Sequence, residues 1–227
     1  MAGKREKREQ RVFVGITGAS GHAYARGLLR ALLAAGIDVD LAVTRAGSLV
    51  LAHEEDVETD EDGRLSCESL AAWLDVDTAA AARVSSFGRS EVGSAPASGS
   101  ALGKAVILCP CSMGTLARVS VGFSSNLVER AADVAIKEGR RLVVVPRETP
   151  LSEIHLENLL RLAKLGARIL PAAPGFYHRP KSIDDLVDQL VGKVLDAIDV
   201  ELAETPRWKG LDEPPAEEGI GGGGAPQ

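Results

Sequence analysis

Five short runs of almost entirely apolar residues are the sequence feature that most constrains the fold. They are RVFVGI (11–16), IDVDLAV (37–43), KAVILC (104–109), RRLVVV (140–145) and ARILP (167–171). Runs that are apolar throughout, rather than alternating, are typical of strands buried on both faces of a parallel sheet. With helices between them, they predict a single α/β domain, doubly wound around a mostly parallel sheet.

Helical patterns separate these runs. They cover residues 22–35, about 46–53, 125–138 and 152–165, and a last helix is expected at 183–198. Gly36, Gly139 and Gly166 each follow a helical pattern and precede a strand, where a left-handed backbone ends a helix. Ser182 and Asp185 fit the capping box of the last helix.

The remaining segments set the predicted boundaries. Residues 1–10 are expected to form a disordered lead, 11–210 the folded domain and 211–227 a disordered tail rich in Gly, Pro and Glu. Residues 55–103, acidic at first and then rich in Gly, Ser and Pro, interrupt the alternation. A connection this long is interpreted as a functional loop or an insertion.

Composition excludes several function classes. The net charge is −6 and basic residues cluster only near the N-terminus, so a nucleic-acid partner has no electrostatic support. No apolar run reaches the ~18 residues of a membrane span, and no signal-peptide pattern begins the chain, so a cytoplasmic protein without a membrane partner is expected. The three cysteines Cys67, Cys109 and Cys111 are too few and too odd in number for a disulfide framework, and Cys109 and Cys111 are interpreted as buried thiols rather than zinc ligands.

The turn after the first run, TGASG, precedes a helix and resembles a nucleotide-binding turn. Its glycines follow the spacing G-x-x-G-x-x-G rather than the G-x-G-x-x-G of dinucleotide-binding proteins. Asp38 and Asp40 lie early in the second strand, too far from its exit to bind a ribose. Thr44 and Arg45 follow that strand instead, which favours an anion over a ribose diol.

Hydroxyl, amide and cationic groups follow every predicted strand. Ligands of open parallel sheets bind outside the carboxyl ends of the strands, where helix N-termini add partial positive charge. The exit residues are Thr17–Ser20, Thr44–Arg45, Ser112–Thr115, Pro146–Thr149 and Tyr177–Arg179. This convergence predicts a ligand that carries phosphate.

Two further patterns have an ordinary structural explanation. Arg130 and Lys137 share one edge of a helix, but Asp133 is spaced to pair with both, so a binding role and a surface ion network are equally compatible with the pattern. DDLVD (184–188) fits the D-D-x-x-D motif of magnesium-dependent isoprenoid synthases. It begins a helix, where carboxylates stabilise the terminus, so no metal site is expected there.

Four blocks of sequence resemble the flavin prenyltransferases, the UbiX family of Rossmann-like flavoproteins. They are GITGASG, CPCSMGTLA, the segment from NLVERAADV to LAKLGA that contains VPRETP, and ILPAAPGFYHRP with the helix that follows. The resemblance covers about residues 11–210 in order. It implies metal-independent transfer of a dimethylallyl group from dimethylallyl monophosphate to N5 and then C6 of reduced FMN. The prenylated FMN would serve a separate UbiD-type decarboxylase.

The resemblance also implies site residues. For FMN they are Gly18, Ala19, Ser20, Thr44, Ser112, Met113, Gly114, Thr115 and Arg147. For dimethylallyl phosphate they are Lys137, Arg147, Glu148, Tyr177 and Lys193. Ser20, Glu54, Arg130, Lys137 and Glu148 are the catalytic candidates, and either Glu54 or Glu148 would accept the proton that leaves flavin C6.

Two positions depart from the family. Lys193 stands where arginine is common and lacks its bidentate fork, and Val92 aligns near a position where relatives can carry a large aromatic residue. The resemblance implies a homo-oligomer, a dodecamer, with active sites at subunit junctions, and residues 55–103 and Trp208 are plausible interface material. An FMN-dependent cysteine-type decarboxylase and a non-catalytic flavin-binding protein remain the alternatives.

Overall fold

A sheet of six parallel strands runs through the computed structural model, which describes residues 10–201. The strands stand in the order β3-β2-β1-β4-β5-β6, and every neighbouring pair is parallel. They are β1 (Arg11–Ile16), β2 (Asp38–Val43), β3 (Val84–Phe87), β4 (Ala105–Cys111), β5 (Arg141–Pro146) and β6 (Arg168–Ile169). The predicted doubly wound α/β fold is confirmed, and the strand order reverses between β1 and β4.

Eight α-helices are described between and after these strands. They are α1 (His22–Ala34), α2 (Arg45–Glu55), α3 (Cys67–Leu74), α4 (Thr78–Ala81), α5 (Met113–Ser120), α6 (Leu127–Lys137), α7 (Glu153–Lys164) and α8 (Ile183–Ala197). None of the described helices is long and apolar enough to cross a bilayer. Gly36, Gly139 and Gly166 all have positive φ, as predicted from their positions after helices.

The sheet is buried on both faces because successive residues of each strand point to opposite sides. In β1, Val12 and Val14 belong to one apolar cluster and Phe13 to the other. Helices α1 and α8 cover the first face, and α5 and α6 cover the second. Because both faces are buried, β1 needs apolar residues at nearly every position, as predicted from its sequence.

Helix α1 begins directly at the turn after β1 and packs against α8. At Gly27, an added Cβ would lie 2.7 Å from Cγ1 of Val187 and 3.3 Å from Cγ2 of Val191. Only glycine allows this close approach of the two helices. The last described helix therefore fixes the position of the first.

Residues 55–103, interpreted from sequence as a functional loop or an insertion, form a folded segment. That segment is not a long structureless connection, because it contains α3, α4, strand β3 and a 3-10 turn at Ala95–Ala97. Strand β3 is short, lies at the sheet edge and carries two half-buried serines, Ser85 and Ser86. Edge strands need no continuous apolar run, so the pattern that revealed the central strands did not reveal this one.

Several other boundaries differ from prediction. Strand β4 extends to Cys111, β6 has only two residues, and the short helix α5 was not predicted. The capping box of α8, formed by Ser182 and Asp185, is confirmed. The predicted tail at 211–227, Trp208 and all of the predicted lead at 1–10 except Gln10 lie outside the described residues.

Candidate active site

The hydroxyl of Thr17 joins the exits of the two central strands. Its Oγ1 donates to the carbonyl of Pro110 at 2.8 Å and accepts from the backbone N–H of Ser112 at 2.7 Å. The backbone N–H of Thr17 also donates to Pro110 at 3.3 Å. The turn after β1 is thus held against the turn after β4, at the point where the strand order reverses.

The turn presents a row of unpaired amides. Within residues 10–201, the backbone N–H groups of Gly18, Ala19 and Ser20 donate no hydrogen bond. Gly18 packs so closely on α2 that an added Cβ would lie 2.5 Å from Cβ of Ala46. Gly21, with φ of 107°, then starts α1 without a side-chain cap of its own. Free amides at a helix N-terminus form a site for an anion such as phosphate.

Glu54 supplies the cap that Gly21 lacks. Its Oε2 accepts the backbone N–H of Gly21 at 2.9 Å and that of His22 at 3.0 Å. Burial raises the pKa of the Glu54 carboxyl, but hydrogen bonds from the Ser20 hydroxyl and these two amides outweigh it, and the net pKa is lowered. Glu54 is therefore an ionised carboxylate fixed beside the turn.

Arg147 reaches the same turn from the exit of β5. Its Nε donates to the carbonyl of Ser20 at 3.1 Å, which leaves the other nitrogens of the guanidinium for a ligand. Glu148 follows it and accepts the backbone N–H of Thr149 at 3.0 Å. The structure thus brings Ser20, Glu54 and Arg147 together through direct contacts, and Glu148 lies next to them in sequence.

The start of α5 places the residues predicted after β4. Ser112 caps the helix, with its Oγ 3.4 Å from the backbone N of Thr115 and 3.2 Å from Thr115 Oγ1. The side chains of Met113 and Thr115 are buried, so these residues offer a ligand mainly their backbone. Gly114 has open space around its Cα apart from Nη1 of Arg118, 3.5 Å from a built Cβ.

Thr44 occupies the corresponding position after β2. Its Oγ1 accepts the backbone N–H of Gly47 at 3.1 Å and so caps α2. An added Cβ at Gly47 would lie 2.8 Å from the carbonyl oxygen of Ile16, so the start of α2 is pressed against the end of β1. Thr44 therefore belongs to the same group of strand exits as Ser20.

Tyr177 and Lys193 are associated with α8. The Tyr177 hydroxyl accepts from Nε2 of Gln189 at 3.1 Å, and Oε1 of Gln189 accepts the backbone N–H of Gly175 at 3.1 Å. Lys193 is exposed and lies one helical turn after Gln189. The two predicted phosphate ligands are therefore near neighbours along α8.

Lys137 is not near the turn of its own protomer. It ends α6, and β5 then starts at Arg141, which pairs with Ala105, the first residue of β4. Lys137 thus lies beyond the amino ends of the strands, whereas Ser20 and Arg147 lie beyond the carboxyl ends. Strands of six residues separate the two edges by about 20 Å.

The ion network predicted as an alternative forms only in part. Arg130 pairs with Asp133 at 3.1 Å, but Lys137 pairs with its neighbour Glu138 at 2.6 Å. Both cations of α6 are partly exposed and remain accessible to a neighbouring molecule.

The other predicted features have clear positions. The side chain of Val92 is half exposed, after β3. Asp185 accepts the amides of Lys181 and Ser182, which accounts for DDLVD as a helix cap. Cys109 and Cys111 are buried free thiols, and burial raises the pKa of both, that of Cys111 to about 12.

Two structural residues of the site were missed from sequence. Thr17 was identified only as one polar residue among several at the strand exits, because its contacts with β4 join residues 93 positions apart. Glu129 is fully buried and holds Arg118 at 2.5 Å and the Ser125 hydroxyl at 2.7 Å. The only sequence signal for these contacts of Glu129 is that a glutamate stands among the apolar residues of α6.

The arrangement fits a phosphate monoester. Three free amides, a helix N-terminus, the Ser20 hydroxyl and the Arg147 guanidinium surround one turn. An ionised carboxylate, Glu54, stands at its edge. This donor set suits the phosphate of a flavin mononucleotide.

Comparison with known proteins gives the same picture. The Flavoprotein family model matches residues 1–195. The flavin prenyltransferase UbiX of Pseudomonas aeruginosa is 45% identical over 199 residues, which cover 88% of this chain and 94% of that protein. The similarity thus extends over nearly the whole length of both proteins.

Two solved structures are similar at the level of the fold and the sequence. AnUbiX (PadA1), in complex with FMN and dimethylallyl pyrophosphate, is 36% identical, with a TM-score of 0.77 over 90% of this chain and all of that chain. A dodecameric FMN-dependent UbiX-like decarboxylase from Escherichia coli O157:H7 is also 36% identical, with a TM-score of 0.74 over 88% of this chain and all of that chain.

Proposed function

The chain belongs to the flavin prenyltransferase family, and we propose that it transfers a dimethylallyl group from dimethylallyl monophosphate to N5 and C6 of reduced FMN. The observation that carries the proposal is the turn after β1, with three free amides braced by Thr17, Glu54 and Arg147. When bound, reduced FMN supplies the nucleophile, so no protein nucleophile is required.

The FMN phosphate and ring are assigned to the carboxyl ends of the central strands. The amides of Gly18, Ala19 and Ser20, which donate no hydrogen bond within the described part of the chain, offer partial positive charge. Thr44 and the residues Ser112–Thr115 line the neighbouring exits. The braced turn holds these donors in place before the ligand arrives, which reduces the cost of organising the site.

Fixed cations take the role that a metal ion has in other prenyl-transferring enzymes. Departure of the phosphate from an allylic carbon leaves negative charge on the leaving group, which Arg147, Tyr177, Lys193 and Lys137 are assigned to stabilise. Lys193 offers one point charge where arginine would offer a planar fork, so its grip on phosphate is less directional. We propose that the reaction needs no metal.

The proton that leaves flavin C6 is assigned to Glu148 rather than to Glu54. The Glu54 carboxylate is already held by the Ser20 hydroxyl and by two amides, and its pKa is lowered, which makes it a weak base. Glu148 has one oxygen bonded to the amide of Thr149, is exposed, and follows Arg147 directly in the chain. Glu54 and Ser20 then serve to fix the turn and orient the reactants.

A second copy of the chain completes the site. Lys137 and Arg130 lie on α6, and Lys137 is at the opposite edge of the sheet from the turn of its own protomer. Lys137 therefore acts on a neighbouring protomer, at a junction between subunits. The related dodecameric structure supports a homo-oligomer, and we propose a dodecamer.

An exposed apolar surface is available for such contacts. Phe123 is 56% exposed and Ile154 67%, and both belong to a set on α7 and on the connection between α5 and α6. The set is Val121, Phe123, Leu151, Ile154, Leu156 and Leu160. Large apolar side chains that stay exposed in a single chain are typical of an interface between subunits.

The transfer reaction is tested by mass spectrometry. Purified protein is incubated without oxygen with reduced FMN and dimethylallyl monophosphate, and the flavin is then analysed. We expect a flavin heavier by one C5H8 unit, and the pyrophosphate serves as the comparison donor. Bound FMN without any gain in mass would contradict the proposal and leave a carrier or a decarboxylase.

Two extensions test the remaining assignments. Excess chelator should leave the rate unchanged, and a rate that falls and recovers with added magnesium would contradict metal independence. The product should activate a UbiD-type decarboxylase prepared without cofactor, and we propose such an enzyme as its recipient. Unmodified FMN in the same assay is the control, since it should not activate the decarboxylase.

A further inference from the structure

His22, the first residue of α1, has a completely buried side chain. Its Nε2 lies 3.0 Å from the carbonyl oxygen of Thr17, five residues earlier. A carbonyl oxygen only accepts hydrogen bonds, so Nε2 must carry the hydrogen. The other tautomer would direct a nitrogen lone pair at the oxygen, which is repulsive.

The hydrogen bond from His22 to Thr17 spans the short turn between the two residues. The N–H and hydroxyl of Thr17 are already bonded to Pro110, and its hydroxyl also accepts from Ser112. The carbonyl of Thr17 is its remaining polar group, and His22 pairs it. At the other end of the turn, Glu54 holds the backbone N–H of His22 itself. His22 is therefore the residue at which both ends of the turn are fixed.

The surroundings keep the ring neutral. Burial lowers the pKa of His22, and the carbonyls of Thr17 and Ala19 and the carboxylates of Glu54 and Glu55 offset this only in part. Its Nδ1 is buried and has no partner within residues 10–201. A neutral ring with its hydrogen on Nε2 matches both observations, because the unpaired atom then bears a lone pair rather than a charge.

We propose that His22 is a positioning residue for flavin binding, which holds residues 17–21 in the conformation that presents the free amides of Gly18, Ala19 and Ser20. The proposal rests on the proposed function, because the ligand that meets these amides is the FMN phosphate. His22 does not touch the reacting atoms and acts through the backbone of the turn.

The tautomer is measured first, on the wild-type full-length protein. Long-range ¹H–¹⁵N correlation spectra resolve the ring nitrogens of the four histidines, and the signal of His22 is assigned by its loss in His22→Gln. We expect a neutral ring with the hydrogen on Nε2 at neutral pH. A hydrogen on Nδ1 instead would overturn the proposal, and the decisive spectrum is that of the wild-type protein.

FMN affinity is then measured by quenching of flavin fluorescence. His22→Leu fills the space without a donor and should raise the Kd for FMN about tenfold or more, because the Thr17 carbonyl is left unpaired. His22→Gln can place an amide N–H near the position of Nε2 and should restore the affinity to within about threefold. His53→Leu, at an exposed histidine of α2, is the matched control and should bind as wild type.

The outcomes separate this proposal from the function on which it rests. Wild-type protein that does not bind FMN would overturn the proposed function and this proposal with it. Normal wild-type binding, together with normal binding by His22→Leu, would overturn the positioning role alone. Weak binding by both His22 variants would also overturn it, because the donor would then not be the property that matters.

Discussion

The carboxylate of Glu54 caps helix α1 at Gly21, the residue just before the helix and 33 residues earlier in the chain. Its Oε2 lies 2.9 Å from the backbone nitrogen of Gly21. Helix caps usually come from the residue just before the helix, but Gly21 has no side chain to offer. The cap comes instead from the end of α2, so one carboxylate joins two helices and the turn at the centre of the candidate site.

Replacing Glu54 with alanine should destabilise the protein. The variant leaves the N–H groups of Gly21 and His22 without their acceptor, and loss of a cap costs about 1 kcal/mol of unfolding free energy. Urea unfolding measures the change. Glu54→Gln keeps an acceptor oxygen and should lose less, and a loss equal to that of alanine would show that the charge, not the hydrogen bond, is what matters.

The contribution of Glu54 should depend on pH. Its pKa is lowered in the folded protein, so the ionised form contributes stability that is fully present above the unfolded pKa and is lost as pH falls through the folded pKa. The difference in unfolding free energy between wild type and Glu54→Gln should be constant above about pH 5 and shrink below about pH 4. A difference that stays constant down to pH 3 would argue against this account.

Gly18→Ala should displace the turn. The new Cβ would lie 2.5 Å from Cβ of Ala46, and such overpacking costs about 1–3 kcal/mol. Thermal unfolding and FMN titration should show lower stability and weaker binding. The double variant Gly18→Ala with Ala46→Gly removes the clash and should recover much of both; a double variant as impaired as Gly18→Ala alone would mean that another contact is responsible.

Lys137→Ala and Arg147→Ala should complement each other. Each homogeneous variant is expected to lose turnover, and Lys137→Ala should still bind FMN. When both are co-expressed in equal amounts, about a quarter of the sites should pair a normal turn with a normal Lys137 from a neighbour. The activity of the mixed oligomer measures this fraction. A mixture as inactive as its components would place Lys137 outside the site of any neighbouring protomer.

The three cysteines should differ sharply in reactivity. Burial raises the pKa of Cys109 and Cys111, that of Cys111 to about 12, whereas Cys67 is partly exposed. A thiol reagent at neutral pH should modify Cys67 alone in the native protein and all three after unfolding. Rapid modification of Cys109 or Cys111 in the native state would show that the sheet opens locally.

The central sheet could be predicted from sequence because its strands are buried on both faces and therefore apolar throughout. Strand β3 could not, since an edge strand such as VSSF has half-buried serines and no apolar signature. The short helix α5 follows its strand after one residue, too soon for a helical period to develop. Sequence patterns therefore reveal the strands that are buried on both faces, but neither the edge strand nor the short helix.

The sequence predicts which residues lie at the candidate site, but not the contacts that hold them there. The polar residues after each strand follow from the rule that ligands bind at the carboxyl ends, and the structure brings Ser20, Glu54 and Arg147 into contact. The bracing roles of Thr17 and His22 were missed, because each depends on the exact path of a turn. The position of Lys137 at the far edge follows from topology, which no local pattern encodes.

The close contact at Gly27, between α1 and the valines of α8, has a consequence for synthesis on the ribosome. The outer side of α1 stays uncovered until Val187 and Val191 have left the exit tunnel, when most of the chain has been translated. A truncated product that ends before α8 would therefore expose the side of α1 that packs on Val187 and Val191 to chaperones and proteases.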